Sequence, residues 1–246
     1  MQQHEAYRLV GTPRPGGILI VSDHASSHVP HDIDLGIDPA LLANHIAVDL
    51  GVLEVGDRIV AQYPEFSAFQ GGVSRLVIDC NRAPDAPGLL PHISDGHPIP
   101  GNYPTDAHLP ERMRRFFEPY HAALDAVLAK APPALIVSLH SFTPHLHEHP
   151  DTERPWQIAC LYNEDDRAAR IAIPLFEAAG LVTGDQQPYS GKLLNYTMDR
   201  HAERKFPYVG IEVRQNEIAD AAGQQRYADI IAQTALQCSK MLASGG

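Results

Sequence analysis

Four short apolar runs in this chain end in groups that can do chemistry. Residues 18–22 run into Asp23-His24, and Leu76-Val77-Ile78 runs into Asp79-Cys80-Asn81-Arg82. Residues 135–139 run into His140-Ser141, and residues 209–211 into Glu212-Val213-Arg214. Ligands of open parallel sheets bind outside the carboxyl ends of the strands, so these four runs aim their polar ends into one crevice. Two imidazoles and several carboxylates meeting there suit a divalent ion. A donor set of nitrogen and oxygen without thiolate fits zinc in a catalytic rather than a structural site. One histidine at a strand end is more often a hydrogen-bonded structural group. Two at separate strand ends, with a glutamate at a third, reverse that balance. Arg82 also has a plain alternative, an ion pair with Asp79 or Asp85.

Competing chemistries leave no trace. The sequence contains no GxSxG elbow, P-loop, GxGxxG or HExxH motif. Its cysteines, Cys80, Cys160 and Cys238, sit in apolar or terminal settings without a group to activate a thiolate. His145, His147 and His149 alternate with Leu and Glu in a manner that suggests a metal site, but the stretch reads as a solvated loop.

The elements that must position these groups alternate along the chain. Apolar runs predict strands over residues 17–22, 73–80, 134–139, 157–162 and 208–213. Helical spacing predicts helices over 39–60, 110–130, 165–179 and 219–242, the second opened by a proline and followed by Pro132-Pro133. Alternation of this kind indicates a single α/β domain over residues 1–246, with a mixed, mostly parallel sheet covered by helices on both faces. A long segment, 83–108, is rich in Pro, Gly, His and Asp, and 143–155 resembles it in Pro and His; loops of that length in a compact domain are usually functional or mobile.

The chain of 246 residues carries 19 Lys and Arg against 30 Asp and Glu, a formal net charge of −11, which argues against nucleic acid or an anionic membrane as partner. Binding of an anion must then rest on a few arginines placed locally. Three widely spaced cysteines build neither a disulfide framework nor a CxxC metal site. The first residues lack a basic and apolar leader, and no run reaches the roughly 18 apolar residues of a membrane span. A soluble, cytoplasmic protein is expected.

Six segments then carry a resemblance in their order along the chain. They are Ser22-Asp23-His24-Ala25-Ser26, His45-Ile46-Ala47-Val48-Asp49-Leu50-Gly51, Ser74-Arg75-Leu76-Val77-Ile78-Asp79-Cys80-Asn81-Arg82, Ser138-Leu139-His140-Ser141-Phe142-Thr143, Pro188-Tyr189-Ser190-Gly191 and Gly210-Ile211-Glu212-Val213-Arg214. Together they resemble the N-formylglutamate amidohydrolase family over roughly residues 15 to 240. That family is similar to zinc carboxypeptidases. Asp79-Cys80-Asn81-Arg82 resembles the segment whose Asn and Arg hold a substrate carboxylate there. Leu139-His140-Ser141-Phe142 resembles the segment with the third zinc ligand, and Ile211-Glu212-Val213-Arg214 the one with the glutamate general base. The first metal motif departs: those peptidases use His-x-x-Glu, whereas Ser27 stands three residues after His24.

The resemblance implies a zinc-carboxypeptidase-like (phosphorylase/hydrolase-like) fold and one zinc ion held by His24, Asp49 and His140. Asp49 is taken from the family pattern; His28 and Asp23 are its rivals, Asp23 also as a partner orienting an imidazole. Glu212 becomes the general base and Arg75 the cation for the oxyanion. Asn81 and Arg82 hold the substrate carboxylate, Tyr189 closes over the substrate, and Arg214 is a lesser candidate for a side-chain carboxylate. The implied partner is a small anionic N-acyl amino acid, foremost N-formyl-L-glutamate. Its cleavage to formate and glutamate ends one route of histidine degradation. An amidase for another N-acyl amino acid, a carboxypeptidase on the same scaffold and a non-catalytic metal-binding protein are the alternatives. A dianionic substrate asks for a second cation, for which Arg75, Lys192 and Arg214 are available.

Overall fold

A computed structural model describes residues 2–193 and 195–244. Its strands are β1 (Gln2–His4), β2 (Tyr7–Val10), β3 (Ile18–Ser22), β4 (Phe66–Gly71), β5 (Ile93–Ser94), β6 (His97–Pro98), β7 (Leu135–Phe142), β8 (Ile158–Leu161), β9 (Thr183–Asp185) and β10 (Tyr208–Arg214). The α-helices are α1 (Val52–Gln62), α2 (Thr105–Arg112), α3 (Glu118–Lys130), α4 (Arg167–Ala178), α5 (Tyr196–His201) and α6 (Ala221–Ser244). Eight strands form one sheet in the order β1-β2-β4-β3-β7-β10-β8-β9. The central four, β4, β3, β7 and β10, run parallel. Antiparallel pairing begins outside them, at β2 on one side and β8 on the other. The expected architecture, mixed and mostly parallel, is the one observed.

Period-two alternation sorts the central strands between two cores. Ile18, Ile20, Val137, Leu139, Ile211 and Val213 pack with Val55 and Ile59 of α1, Phe176 of α4 and Tyr227 and Ile231 of α6. Leu19, Val21, Ile136 and Tyr208 face the other way, onto Tyr120, Leu124 and Leu128 of α3 and Met198 of α5. Both faces are therefore covered. None of the described helices is long and apolar enough to cross a membrane.

Four local expectations are corrected. Residues 73–80 form buried turns rather than a strand, and the strand is Phe66–Gly71 instead. Val73, Val77 and Ile78 are buried in the second core and Leu76 in a third small cluster under the loops. An unbroken apolar run reports burial, which a packed loop satisfies as well as a strand. The single helix expected over 39–60 is a 3₁₀ turn at Pro39–Ala43, an irregular segment, and then α1. Gly51 starts α1 at φ 80°, where a Cβ would lie 2.5 Å from the Ile218 carbonyl oxygen. The helix expected over 110–130 is α2, a π-helical turn at Met113–Phe117 and α3. Within the expected loop 83–108 the chain forms the β5–β6 hairpin, a 3₁₀ turn and the start of α2.

Candidate active site

The parallel register between β7 and β10 sets Glu212 directly beside His140. His24 follows β3, the neighbour of β7 on the other side. Asp49 arrives from the irregular segment before α1, where its backbone N–H donates to the His24 carbonyl at 2.9 Å. A continuous helix over 39–60 would not deliver that contact; the interruption is what brings Asp49 to His24. Close passage after β3 also depends on Gly71, whose Cβ would lie 2.0 Å from the Asp23 carbonyl oxygen.

His24, Asp49 and His140 are all buried, and one ligand atom from each lies within 4.8 Å of the others. The His140 Nδ1 is 2.9 Å from Asp49 Oδ2, and the His24 Nδ1 is 3.7 Å from the same oxygen. Behind each ring stands an acid. Asp79 Oδ1 lies 2.7 Å from His24 Nε2, and Asp23 Oδ2 lies 3.6 Å from His140 Nε2, which also has Ser138 Oγ at 3.2 Å. Asp23 is itself fixed by hydrogen bonds from Tyr120 Oη at 2.7 Å and Thr197 Oγ1 at 2.6 Å. A ligating imidazole commonly donates its far N–H to a carboxylate, which orients the ring and makes it more basic. Asp23 thus stands behind His140 rather than beside Asp49, and His28 is exposed on the far side, lining a different groove.

These residues fit a divalent ion on their own evidence. Among the described residues, the buried His24 Nδ1 has no hydrogen-bond partner, and neither has Glu212 Oε2. Two imidazoles and a carboxylate form the nitrogen–oxygen donor set that zinc takes in catalytic sites.

Electrostatics supports the same reading. Burial pushes the Glu212 carboxyl up to about 7; Asp49 adds to this, while His140 and Arg75 pull against it. Burial disfavours a charged His140, but the hydrogen bond and charge of Asp49 outweigh it and raise the imidazole to about 9. Burial likewise opposes ionisation of Asp49, yet Arg75 and the two imidazoles hold it well below the usual carboxylate range. Arg75 donates directly to Asp49 Oδ1. Burial opposes the charge on Asp79 too, and His24 and Arg82 overcome it.

A cavity of about 150 Å³ opens over these groups, lined by His24, Asp49, His140 and Glu212 on one side and by Arg75, Asn81, Arg82 and Tyr189 among the rest. Asn81 is buried, and its Oδ1 accepts from the Thr197 backbone N–H at 3.0 Å, which leaves its amide N–H groups to donate. Arg82 Nη1 donates to the Asn81 carbonyl at 3.1 Å, with Nε 3.9 Å from Asp79. Tyr189 Oη accepts from Arg154 Nη1 at 3.1 Å. Eight of the nine expected site residues therefore share one cavity. Arg214 does not line it; its guanidinium is bonded to Glu217 at 2.7 Å and to the Arg154 and Pro155 carbonyls. His145, His147 and His149 are exposed, as expected of a solvated loop. Cys80, Cys160 and Cys238 are free and buried, and burial pushes each thiol up, Cys238 to about 12.

The N-formylglutamate amidohydrolase family model matches residues 16–219. The chain belongs to this family. Among solved structures, the Agrobacterium tumefaciens gene product Atu2144 is similar at 27% identity and a TM-score of 0.89, over 97% of this chain and 96% of that one. An N-formylglutamate amidohydrolase from Ralstonia eutropha shares the fold at 16% identity and a TM-score of 0.69, over 98% of this chain and 100% of the other. No curated protein matches.

The cavity also includes residues that sequence reading overlooked. His45 lines the cavity, with Nε2 2.9 Å from Asp95 Oδ2. Asp95 turns the β5–β6 hairpin at φ 43° and also accepts the backbone N–H groups of His147 and Glu148. One carboxylate thereby joins the two long segments at the cavity wall. Burial holds the His45 imidazole below its ordinary value although Asp95 works against it. The available signal was position, since His45 opens the segment that ends in Asp49-Leu50-Gly51. Arg154, behind Tyr189, left no signal in the sequence.

Proposed function

We propose that this protein hydrolyses the amide bond of an N-acyl amino acid, with N-formyl-L-glutamate as substrate and formate and L-glutamate as products. The observation that carries the reading is Glu212: a buried carboxylate with an unpartnered Oε2, pushed up to about 7, beside a His-Asp-His donor set. A non-catalytic metal binder has no use for such a base. His24, Asp49 and His140 would hold the ion, which we assign as zinc. When bound it supplies Lewis-acid chemistry, polarising a carbonyl and acidifying water.

The chain's own residues do the rest. Glu212 Oε2 takes a proton from the attacking water and returns it to the leaving nitrogen. Asp79 holds the His24 imidazole through its far nitrogen, and Ser138 does the same for His140, with Asp23 3.6 Å away. Arg75, kept charged by Asp49, is the cation nearest the ligand set and stabilises negative charge that develops on the amide oxygen. The Asn81 amide N–H and the Arg82 fork bind the α-carboxylate, a planar contact that lysine does not reproduce. Tyr189, on the wall of the same cavity, closes over the substrate.

Formate release from N-formyl-L-glutamate by zinc-loaded and chelator-treated protein tests this directly. Release that chelation abolishes and zinc restores is the expected result. Zinc bound without release moves the substrate to another N-acyl amino acid. Neither binding nor release removes the mechanism.

A further inference from the structure

A substrate with two carboxylates needs a second cation, and the arginines around the cavity are not equally free to supply one. Arg75 is paired with Asp49 and already assigned to the amide oxygen, and Arg82, 3.9 Å from Asp79, to the first carboxylate. Arg214 is paired with Glu217, and Lys192 is exposed. Arg154 differs from all of these. It is 8% exposed and pairs with no carboxylate among the described residues. Its two hydrogen bonds both leave from Nη1, to the Thr143 carbonyl at 3.1 Å and to Tyr189 Oη at 3.1 Å. Nε and Nη2 have no protein partner among the described residues. A buried guanidinium without a counter-charge is unfavourable, and an anionic ligand would compensate it.

Its surroundings point toward the cavity. Thr143 and Tyr189 both line it, so Arg154 stands directly behind that wall. The guanidinium carbon lies 5.2 Å from the centre of the Tyr189 ring. Because Tyr189 Oη accepts from Arg154, the phenolic hydrogen is left to donate, and it has no protein acceptor among the described residues. The arginine is also held in place from behind. Arg214 donates to the Arg154 and Pro155 carbonyls, while Glu217, its own partner, accepts from Gln157 and Tyr227. Arg214, expected as a candidate for a side-chain carboxylate, instead braces the backbone of the residue better placed for that task. Arg112 is a contrasting buried arginine: its donors reach three neutral oxygens, of Val77, Asn102 and Gly101, in a purely structural staple.

We propose that Arg154, together with the Tyr189 hydroxyl, recognises a side-chain carboxylate of the substrate and selects N-formyl dicarboxylic amino acids over neutral ones. The proposal rests on the amidase reading above.

The test compares N-formyl-L-glutamate with N-formyl-L-glutamine, which has the same shape and lacks the charge. Zinc-loaded wild-type protein should prefer the glutamate substrate by about 100-fold in kcat/KM, as a site built for a charged group rejects its neutral analogue. Arg154→Gln should shrink that preference at least tenfold through a higher KM for N-formyl-L-glutamate, with turnover of N-formyl-L-glutamine little changed. Arg154→Lys, which keeps the charge without the fork, should restore part of it. A structural staple would lower both substrates together and preserve the ratio, which overturns the proposal. With wild-type protein alone, L-glutamate should inhibit at lower concentration than L-glutamine, and equal inhibition also overturns it. Hydrolysis of both substrates without preference removes this inference and leaves the amidase reading. Hydrolysis of neither removes the amidase reading, and this inference with it.

Discussion

Two pairs of histidines are buried in this protein at nearly the same spacing, and they do opposite work. The rings of His24 and His140 lie 5.2 Å apart and edge to face; those of His121 and His201 lie 5.1 Å apart and stacked. In the second pair every ring nitrogen has a partner: His121 Nε2 with the Cys80 carbonyl, His121 Nδ1 with His201 Nε2, and His201 Nδ1 with Asp125. In the first pair both rings turn Nδ1 toward Asp49, and the His24 Nδ1 has no hydrogen-bond partner. The first pair borders a cavity with Glu212, whereas the second, one ring from α3 and one from α5, is buried and holds the carbonyl between Asp79 and Asn81. A buried histidine marks a site through the nitrogen left unsatisfied, not through its burial or its company.

The largest expected effects separate the pairs by function. Glu212→Gln should cut turnover by roughly 1,000-fold or more, within the range attributed to acid–base catalysis, while metal content and melting temperature stay near wild type. His140→Ala should remove both turnover and bound zinc, read by elemental analysis. His201→Ala should lower stability and leave zinc content intact. Turnover retained in Glu212→Gln would remove that residue from the mechanism. A loss of zinc in His201→Ala would erase the distinction between the pairs.

How much of this contrast the sequence revealed depended on the kind of signal. His24, His140 and Glu212 follow apolar runs that form β3 or lie within β7 and β10, and strand register alone puts the last two side by side. Asp49 was legible only through family resemblance, because its position rests on a helix that fails to form before Gly51. Asn81 and Arg82 do line the cavity, but not for the reason the sequence suggested: the run before them packs as buried turns, not as a strand. Strand β4 was missed because Phe66-Ser67-Ala68-Phe69-Gln70-Gly71 mixes polar and small residues although all six are buried. Arg154 was invisible, since its role depends on the absence of a partner, and only three-dimensional packing shows that.

A smaller effect concerns pH and activity. Glu212 must be ionised to act as base, and burial, its largest perturbation, pushes it up to about 7. A bound divalent ion pulls that value down, so kcat/KM for N-formyl-L-glutamate should fall about tenfold per pH unit on an acid limb that lies no higher than about pH 7, and flatten above it. An acid limb lying above about pH 7 would place the base elsewhere. The structural pair gives a different readout. His121→Ala leaves the Cys80 carbonyl and the His201 Nε2 without their partner and should cost about 2–4 kcal/mol, measured by denaturant unfolding, with the acid limb of kcat/KM unmoved.

The smallest effect tests the contrast through stability alone. Burial holds His121 down to about 3, so the unfolded chain, with a histidine pKa near 6.5, binds more protons between these values. Its contribution is complete above about pH 6.5 and is lost as pH falls toward 3. His140 has the opposite sign. In metal-free protein it is raised to about 9, because Asp49 outweighs the cost of burial, so its contribution is complete below about 6.5 and is lost as pH rises through 9. Each group sets a slope of about 1.4 kcal/mol per pH unit within its window. Glu212, raised to about 7 in the same metal-free protein, has the sign of His140 and offsets His121 between about pH 4.5 and 7. Unfolding of chelator-treated protein should thus show stability declining from about pH 6.5 to 9. Ligation demands a neutral imidazole, so saturating zinc should abolish the alkaline decline. An alkaline decline that persists in zinc would mean that His140 keeps its proton and is not a ligand.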